Sequence, residues 1–214
     1  MIPTLAGVRA GRAILLAGVL LSAQLPSAAE SFEDRLSGAR LLDALRSGGL
    51  VIFIRHAETE KDFADQVTAV MGDCSTQRTL SEAGWQQARA IGAAFERLRI
   101  PVGKVYSSEY CRAWQTADLA LGRYQKTPDL NFEPAEEYTD EQIAAMRGRM
   151  TPYLVARPDE GLNTVLVGHD DPFEAATGIY PEPMGVAFVV EPDGAGGFTV
   201  LAAVAADAWP ELAR

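Results

Sequence analysis

The chain contains two histidines, and each directly follows a short apolar run. His56 comes after Leu50-Val51-Ile52-Phe53-Ile54-Arg55, and His169 after Thr164-Val165-Leu166-Val167-Gly168. Imidazole is the side chain whose ordinary ionisation lies near neutrality, so it can serve as a nucleophile or a proton carrier. Guanidinium groups accompany both rings. Arg55 adjoins His56, and Arg112 falls in the first turn of a predicted helix that follows a third apolar run, Val102–Tyr106. Two imidazoles, two guanidiniums and a helix start with free N–H groups describe a cationic pocket suited to a phosphoryl group.

Such a pocket requires the apolar runs to be parallel strands ending at one sheet edge, where open α/β sheets bind ligands. The sequence supports this. The runs are short, rich in β-branched residues and bounded by Gly or charge, as buried strands are. Helical patterns alternate with them: Ser31 to Arg46, Ser81 to Arg99 with Trp85 on its apolar face, and Glu109 to Leu121 capped by Ser107-Ser108. A fourth runs from Thr139 to Ala156, opened by the capping-box pattern Thr139-Asp140-Glu141-Gln142. Ala57 to Arg78 shows no period and reads as a loop. Gly185–Glu191 and Phe198–Val204 read as two more strands joined by the Gly-rich turn Pro192–Gly197. The predicted class is α/β: a three-layer αβα sandwich with a mostly parallel central sheet, to which the hairpin adds an antiparallel edge.

Composition narrows the function. The chain has 214 residues, 19 Lys plus Arg against 29 Asp plus Glu, and a net charge of −10. An acidic surface disfavours nucleic acid as a partner. Two Cys and two His are too few for a finger-type zinc site. Residues 1–29 have the layout of a secretory signal peptide: Arg9 and Arg12, an apolar run from Ala13 to Leu25, and Ser27-Ala28-Ala29 before a cut at Glu30. That predicts a mature domain over 30–214, periplasmic or secreted, with no stable membrane anchor after cleavage. In an oxidising compartment Cys74 and Cys111 are expected to form a disulfide worth about 3–4 kcal/mol in the chain-entropy picture.

Four ordered segments resemble a known family. Arg55-His56-Ala57-Glu58-Thr59, Arg78-Thr79-Leu80-Ser81-Glu82-Ala83-Gly84, Ser107-Ser108-Glu109-Tyr110-Cys111-Arg112-Ala113-Trp114-Gln115-Thr116-Ala117 and Val167-Gly168-His169 are similar to the signatures of the histidine phosphatase superfamily, also called phosphoglycerate mutase-like. The resemblance covers roughly Leu50 to Asp171. It implies that His56 is a nucleophile forming a phosphohistidine, and that Arg55, Arg112 and His169 hold the phosphoryl oxygens. It also implies that Glu58, Thr59 and Ser108 line the substrate side, and that no metal or cofactor is required. Positioning and charge stabilisation are what phosphoryl transfer chiefly asks of a protein.

The proton donor to the leaving group stays open at this level. Glu133, in Leu130-Asn131-Phe132-Glu133, resembles the donor of the mutase-like branch, whereas Asp170 resembles the donor of the acid phosphatase branch. Glu109 and Glu58 are further candidates. The expected function is an exported phosphomonoesterase acting on a phosphorylated small molecule or glycan. The alternatives are a non-catalytic binder of a phosphorylated ligand, a phosphomutase, disfavoured because the short chain leaves little room to shield an intermediate from water, and a phosphohistidine-protein phosphatase, disfavoured by export if its partner is cytosolic.

Overall fold

In the computed structural model of the chain, the described residues are 1, 32–60, 65 and 67–214. The signal peptide expected over residues 1–29 lies outside them but for residue 1. Phe32–Arg214 form one compact unit. Its elements run α1 (Gly38–Ser47), β1 (Val51–Arg55), α2 (Glu82–Leu98), β2 (Val102–Ser107), α3 (Cys111–Leu121), β3 (Gln125–Lys126), α4 (Asp140–Val155), β4 (Asn163–Gly168), α5 (Asp170–Thr177), β5 (Ala187–Pro192) and β6 (Phe198–Val204).

The six strands form one sheet in the order β3-β2-β4-β1-β5-β6. The first four are parallel, and β5 and β6 join antiparallel at one edge. β1 and β4 are buried along their whole length because both faces are covered. Their residues alternate between two cores. Ile52, Ile54, Val165 and Val167 pack with Leu41, Leu45, Ile91, Phe95 and Trp209 on one face. Val51, Phe53 and Leu166 pack with Met150, Leu154 and Phe173 on the other. The αβα sandwich is therefore as expected.

Local capping explains the helix boundaries. Ser81 Oγ accepts the Gly84 N–H and starts α2, and Thr139 with Gln142 completes the capping box that starts α4. α1 begins later than its apolar stripe suggested. Arg35 and Leu36 donate their N–H groups to Leu201 of β6, and Phe32 packs edge-on against Phe188, so that stretch serves the sheet instead of a helix. Ser107-Ser108 do not cap α3; Tyr110 occupies that position without a side-chain bond. Trp85 is exposed, beneath the Arg89 guanidinium, and not in the core. The Cys74–Cys111 disulfide is formed and ties the long loop to the first residue of α3.

Candidate active site

Three neighbouring parallel strands, β2, β4 and β1, end together. Arg55 is in register with Gly168, so the next residues, His56 and His169, emerge side by side. The main chain around His56 is fully engaged: its N–H donates to Gly168 O, its carbonyl accepts from Gly185 N–H, and the Ala57 N–H donates to Thr116 Oγ1. The two rings lie 5.4 Å apart, centroid to centroid, and both are buried.

Each ring has one nitrogen tied by a hydrogen bond within the protein. His56 Nδ1–H donates to the Ala57 carbonyl at 2.8 Å, which leaves the Nε2 lone pair toward Arg112, whose Nε–H reaches it at 3.2 Å. His169 is held the other way round. Ser108 Oγ–H donates to Asn131 Oδ1 at 2.7 Å, so Ser108 Oγ is an acceptor toward His169 Nε2–H at 2.8 Å. Asn131 is itself oriented, accepting from the Glu109 N–H and donating to Glu109 Oε2. This relay leaves His169 Nδ1 buried and without a hydrogen-bond partner. Burial, then the Arg112 charge, pushes the pKa of each histidine well below the ordinary 6.5; Arg78 and Arg55 add to this for both, and His56 adds to it for His169. Both rings are neutral at neutral pH, as a nucleophilic imidazole must be.

Guanidiniums surround them. Arg112 is 3% exposed and lies over the Tyr110 and Phe132 rings, which also pack edge-on against His169. Arg55 binds the Pro181 carbonyl through Nη1 and Asp170 through Nη2 at 2.6 Å, and its buried Nε has no protein partner. Arg55 Nε is thus a buried donor without a hydrogen-bond partner, as an anion site requires, and His169 Nδ1 becomes a second such donor when its ring is protonated. Arg78, 9% exposed, is close enough to depress both histidine pKa values. It stood in the quoted segment before Leu80 but carried no role there.

The structure therefore brings together His56, His169, Arg55, Arg112, Ser108 and Asp170, with Glu109 joined through Asn131. Asp170 accepts from both Arg55 and the Tyr180 hydroxyl. Glu133 pairs with Arg149 of α4 at 2.6 Å, while its neighbour Phe132 touches His169. Glu58 accepts from Ser81 Oγ, and Thr59 bridges to Leu80 and reaches Met184 Sδ, so both bind the start of α2 to the loop after His56. That contact explains Gly84: a Cβ there would lie 2.0 Å from the Glu58 carbonyl oxygen. Sequence reasoning missed Asn131, which lay beside Glu133 in the same motif, and Asp65, which lay in the aperiodic loop.

Residues 51–163, more than half of the chain, match the profile of the histidine phosphatase superfamily (branch 1). Among solved structures the fold is similar to that of the protein histidine phosphatase SixA complexed with tungstate, at 15% identity over 74% of this chain and 97% of that one, with a TM-score of 0.51. It is similar also to a phosphoserine phosphatase of Entamoeba histolytica in complex with 3-phosphoglyceric acid, at 17% identity over 72% and 95%, TM-score 0.50. A protein of Thermus thermophilus is 23% identical over 73% and 99%, TM-score 0.50. No match is found among curated proteins.

Proposed function

The chain belongs to the histidine phosphatase superfamily, and from that premise we propose that it hydrolyses a phosphomonoester through a phosphohistidine at His56. The observation that carries the reading is the pinned ring: Nδ1 is fixed to the Ala57 carbonyl and the Nε2 lone pair faces Arg112 across 3.2 Å. In the first step His56 Nε2 forms a bond to phosphorus as the P–O bond to the leaving group breaks, and the leaving oxygen takes a proton. In the second, water attacks phosphorus, loses a proton and releases inorganic phosphate, and Nε2 regains its lone pair. Arg112 Nε and Arg55 Nε stabilise the equatorial oxygens as charge develops.

His169 Nδ1 meets the phosphoryl group as an acceptor when the ring is neutral and as a donor when it is protonated. A bound phosphate dianion favours the donor form, because a nearby negative charge raises an imidazole pKa. The donor to the leaving oxygen is assigned to one of two carboxylates, Asp170 beside His169 or Glu133 beside Phe132. A sugar phosphate, whose alkoxide leaves poorly, separates them from p-nitrophenyl phosphate, whose phenolate leaves unaided. Loss of the donor cripples the first substrate and spares the second.

The substrate class is a phosphorylated small molecule or glycan. The structural neighbour bound to 3-phosphoglyceric acid fits a phosphorylated small molecule. Residues 1–29 are read as an export signal, which places the enzyme in the periplasm or outside the cell and suits the Cys74–Cys111 bridge. A secreted product whose first residue is Glu30 would bear this out. The deciding experiment incubates the purified domain with p-nitrophenyl phosphate without added metal, then quenches into alkaline detergent, where phosphohistidine survives. A phosphoenzyme present in wild type and missing in His56→Ala is expected. Undiminished turnover by His56→Ala would remove the mechanism.

A further inference from the structure

Asp65 is a buried carboxylate to which the phosphoryl-transfer steps assign no part. It is 1% exposed, and its Oδ2 accepts from Arg112 Nη1 at 2.8 Å and from the Arg78 backbone N–H at 2.8 Å. Its own carbonyl accepts the N–H groups of Thr68 and Ala69, which starts a turn. Further along the same loop, Gln77 Oε1 accepts the Cys111 N–H at 2.8 Å and Cys74 is bonded to Cys111. The segment is thus fastened to α3 on both sides of the Cys111-Arg112 peptide.

A guanidinium offers anions distinct edges. Nε and Nη2 lie on one edge as two parallel donors, and Nη1 is the far corner on the Cδ side. Asp65 occupies Nη1, while Nε faces His56 Nε2. The two-donor edge that Asp65 leaves unoccupied is therefore the one turned to the nucleophile, with Nε reaching His56 Nε2. Charge points the same way. Burial and the nearby Arg78 both work against the Arg112 cation, and Asp65 offsets them.

We infer that Asp65 is a positioning residue, which holds Arg112 so that its Nε/Nη2 edge grips two oxygens of the phosphoryl group on its way to His56. The role rests on the phosphatase reading of the site. It differs from that of a carboxylate lying across the anion's path, whose removal would tighten anion binding.

The test titrates tungstate, a phosphate-shaped oxyanion, into wild type, Asp65→Ala and Asp65→Asn by calorimetry. It follows the ring nitrogens of His56 by 15N NMR and measures p-nitrophenyl phosphate turnover. In Asp65→Ala the tungstate affinity is expected to fall about tenfold and kcat about 100-fold, the scale of a misplaced catalytic group. The His56 Nε2 resonance should move as the Arg112 Nε–H withdraws. Asp65→Asn keeps the shape and an acceptor oxygen and should show a smaller change in the same direction, which carries the test if the alanine variant does not fold. Unchanged or tighter tungstate binding, or an unmoved Nε2 resonance, overturns the inference. A wild type that binds tungstate and hydrolyses no ester defeats the phosphatase reading alone, because the binding and NMR arms still judge Asp65.

Discussion

His56 and His169 follow adjacent strands, lie ring to ring and are both driven neutral by burial, yet they are held by opposite means. His56 is oriented by its own backbone: Nδ1 meets the next residue's carbonyl, and the surrounding main-chain bonds run to β4 and to the segment before β5. His169 is oriented by side chains from β2's end and the loop before α4, through Ser108, Asn131 and Glu109. A backbone-held ring cannot be re-aimed without distorting the sheet, whereas a relay-held ring can be re-aimed by one substitution. The first arrangement suits a nucleophile that must meet phosphorus in line. The second suits a group whose proton content has to follow the ligand.

That contrast can be broken or sharpened by experiment. The largest effect is expected at the backbone-held ring. His56→Ala should lower p-nitrophenyl phosphate turnover on the order of 10^4-fold or more, checked by steady-state kinetics with the alkaline quench. His169→Ala should cost about 100-fold, the range for removing one group that stabilises charge in the transition state. A phosphoenzyme should still form there, only more slowly. If both variants lose the phosphoenzyme equally, the two rings are not functionally distinct.

Asn131→Ala should cost about tenfold in kcat/KM, as one network bond of about 1.5 kcal/mol would. It should leave the Nδ1–H tautomer of His56 unchanged in the 15N spectrum. An altered His56 tautomer would mean the two holding systems are coupled. The smallest effect concerns stability against pH. Both histidines have folded-state pKa values below the ordinary 6.5. The unfolded chain therefore binds more protons below about pH 6.5, and stability falls as pH drops through that point. Thermal melts of wild type should show this decline between about pH 7 and pH 5 (a window set by the ordinary histidine value). His169→Asn should flatten it. Asp171 opposes the trend: burial, then the Asp170 charge, raises its carboxyl to about 6, so its contribution is present at low pH and is lost as pH rises through that value.

The placement of the candidate site was legible where a strand end fixed it. His56, His169 and Arg112 were readable because a buried parallel strand, or the helix that follows one, leaves few places for the next polar residue to go. The disulfide was readable from the cysteine count and an expected export signal. Other features were hidden for physical reasons. β3 is two residues long and carries no period. α5 is an eight-residue helix with Pro172 in its first turn, below the length at which an apolar stripe can be told from noise. Ser108 looked like a cap because Ser before a helix commonly is one. Its hydroxyl instead serves His169, which only the approach of Asn131, 23 residues later, makes evident. Asp65 and Arg78 meet the site through a loop whose course depends on tertiary anchors at Gln77 and Cys74.

The pairing of Arg55 with Gly168 across the β1–β4 ladder makes the sheet a parity device. Both imidazoles stand one step past a matched pair, an odd offset on each strand, and so share a face. Inserting a single amino acid into either strand would invert that count and swing one ring through to the reverse side, stranding its mate. These two strands can change length only in even steps or together.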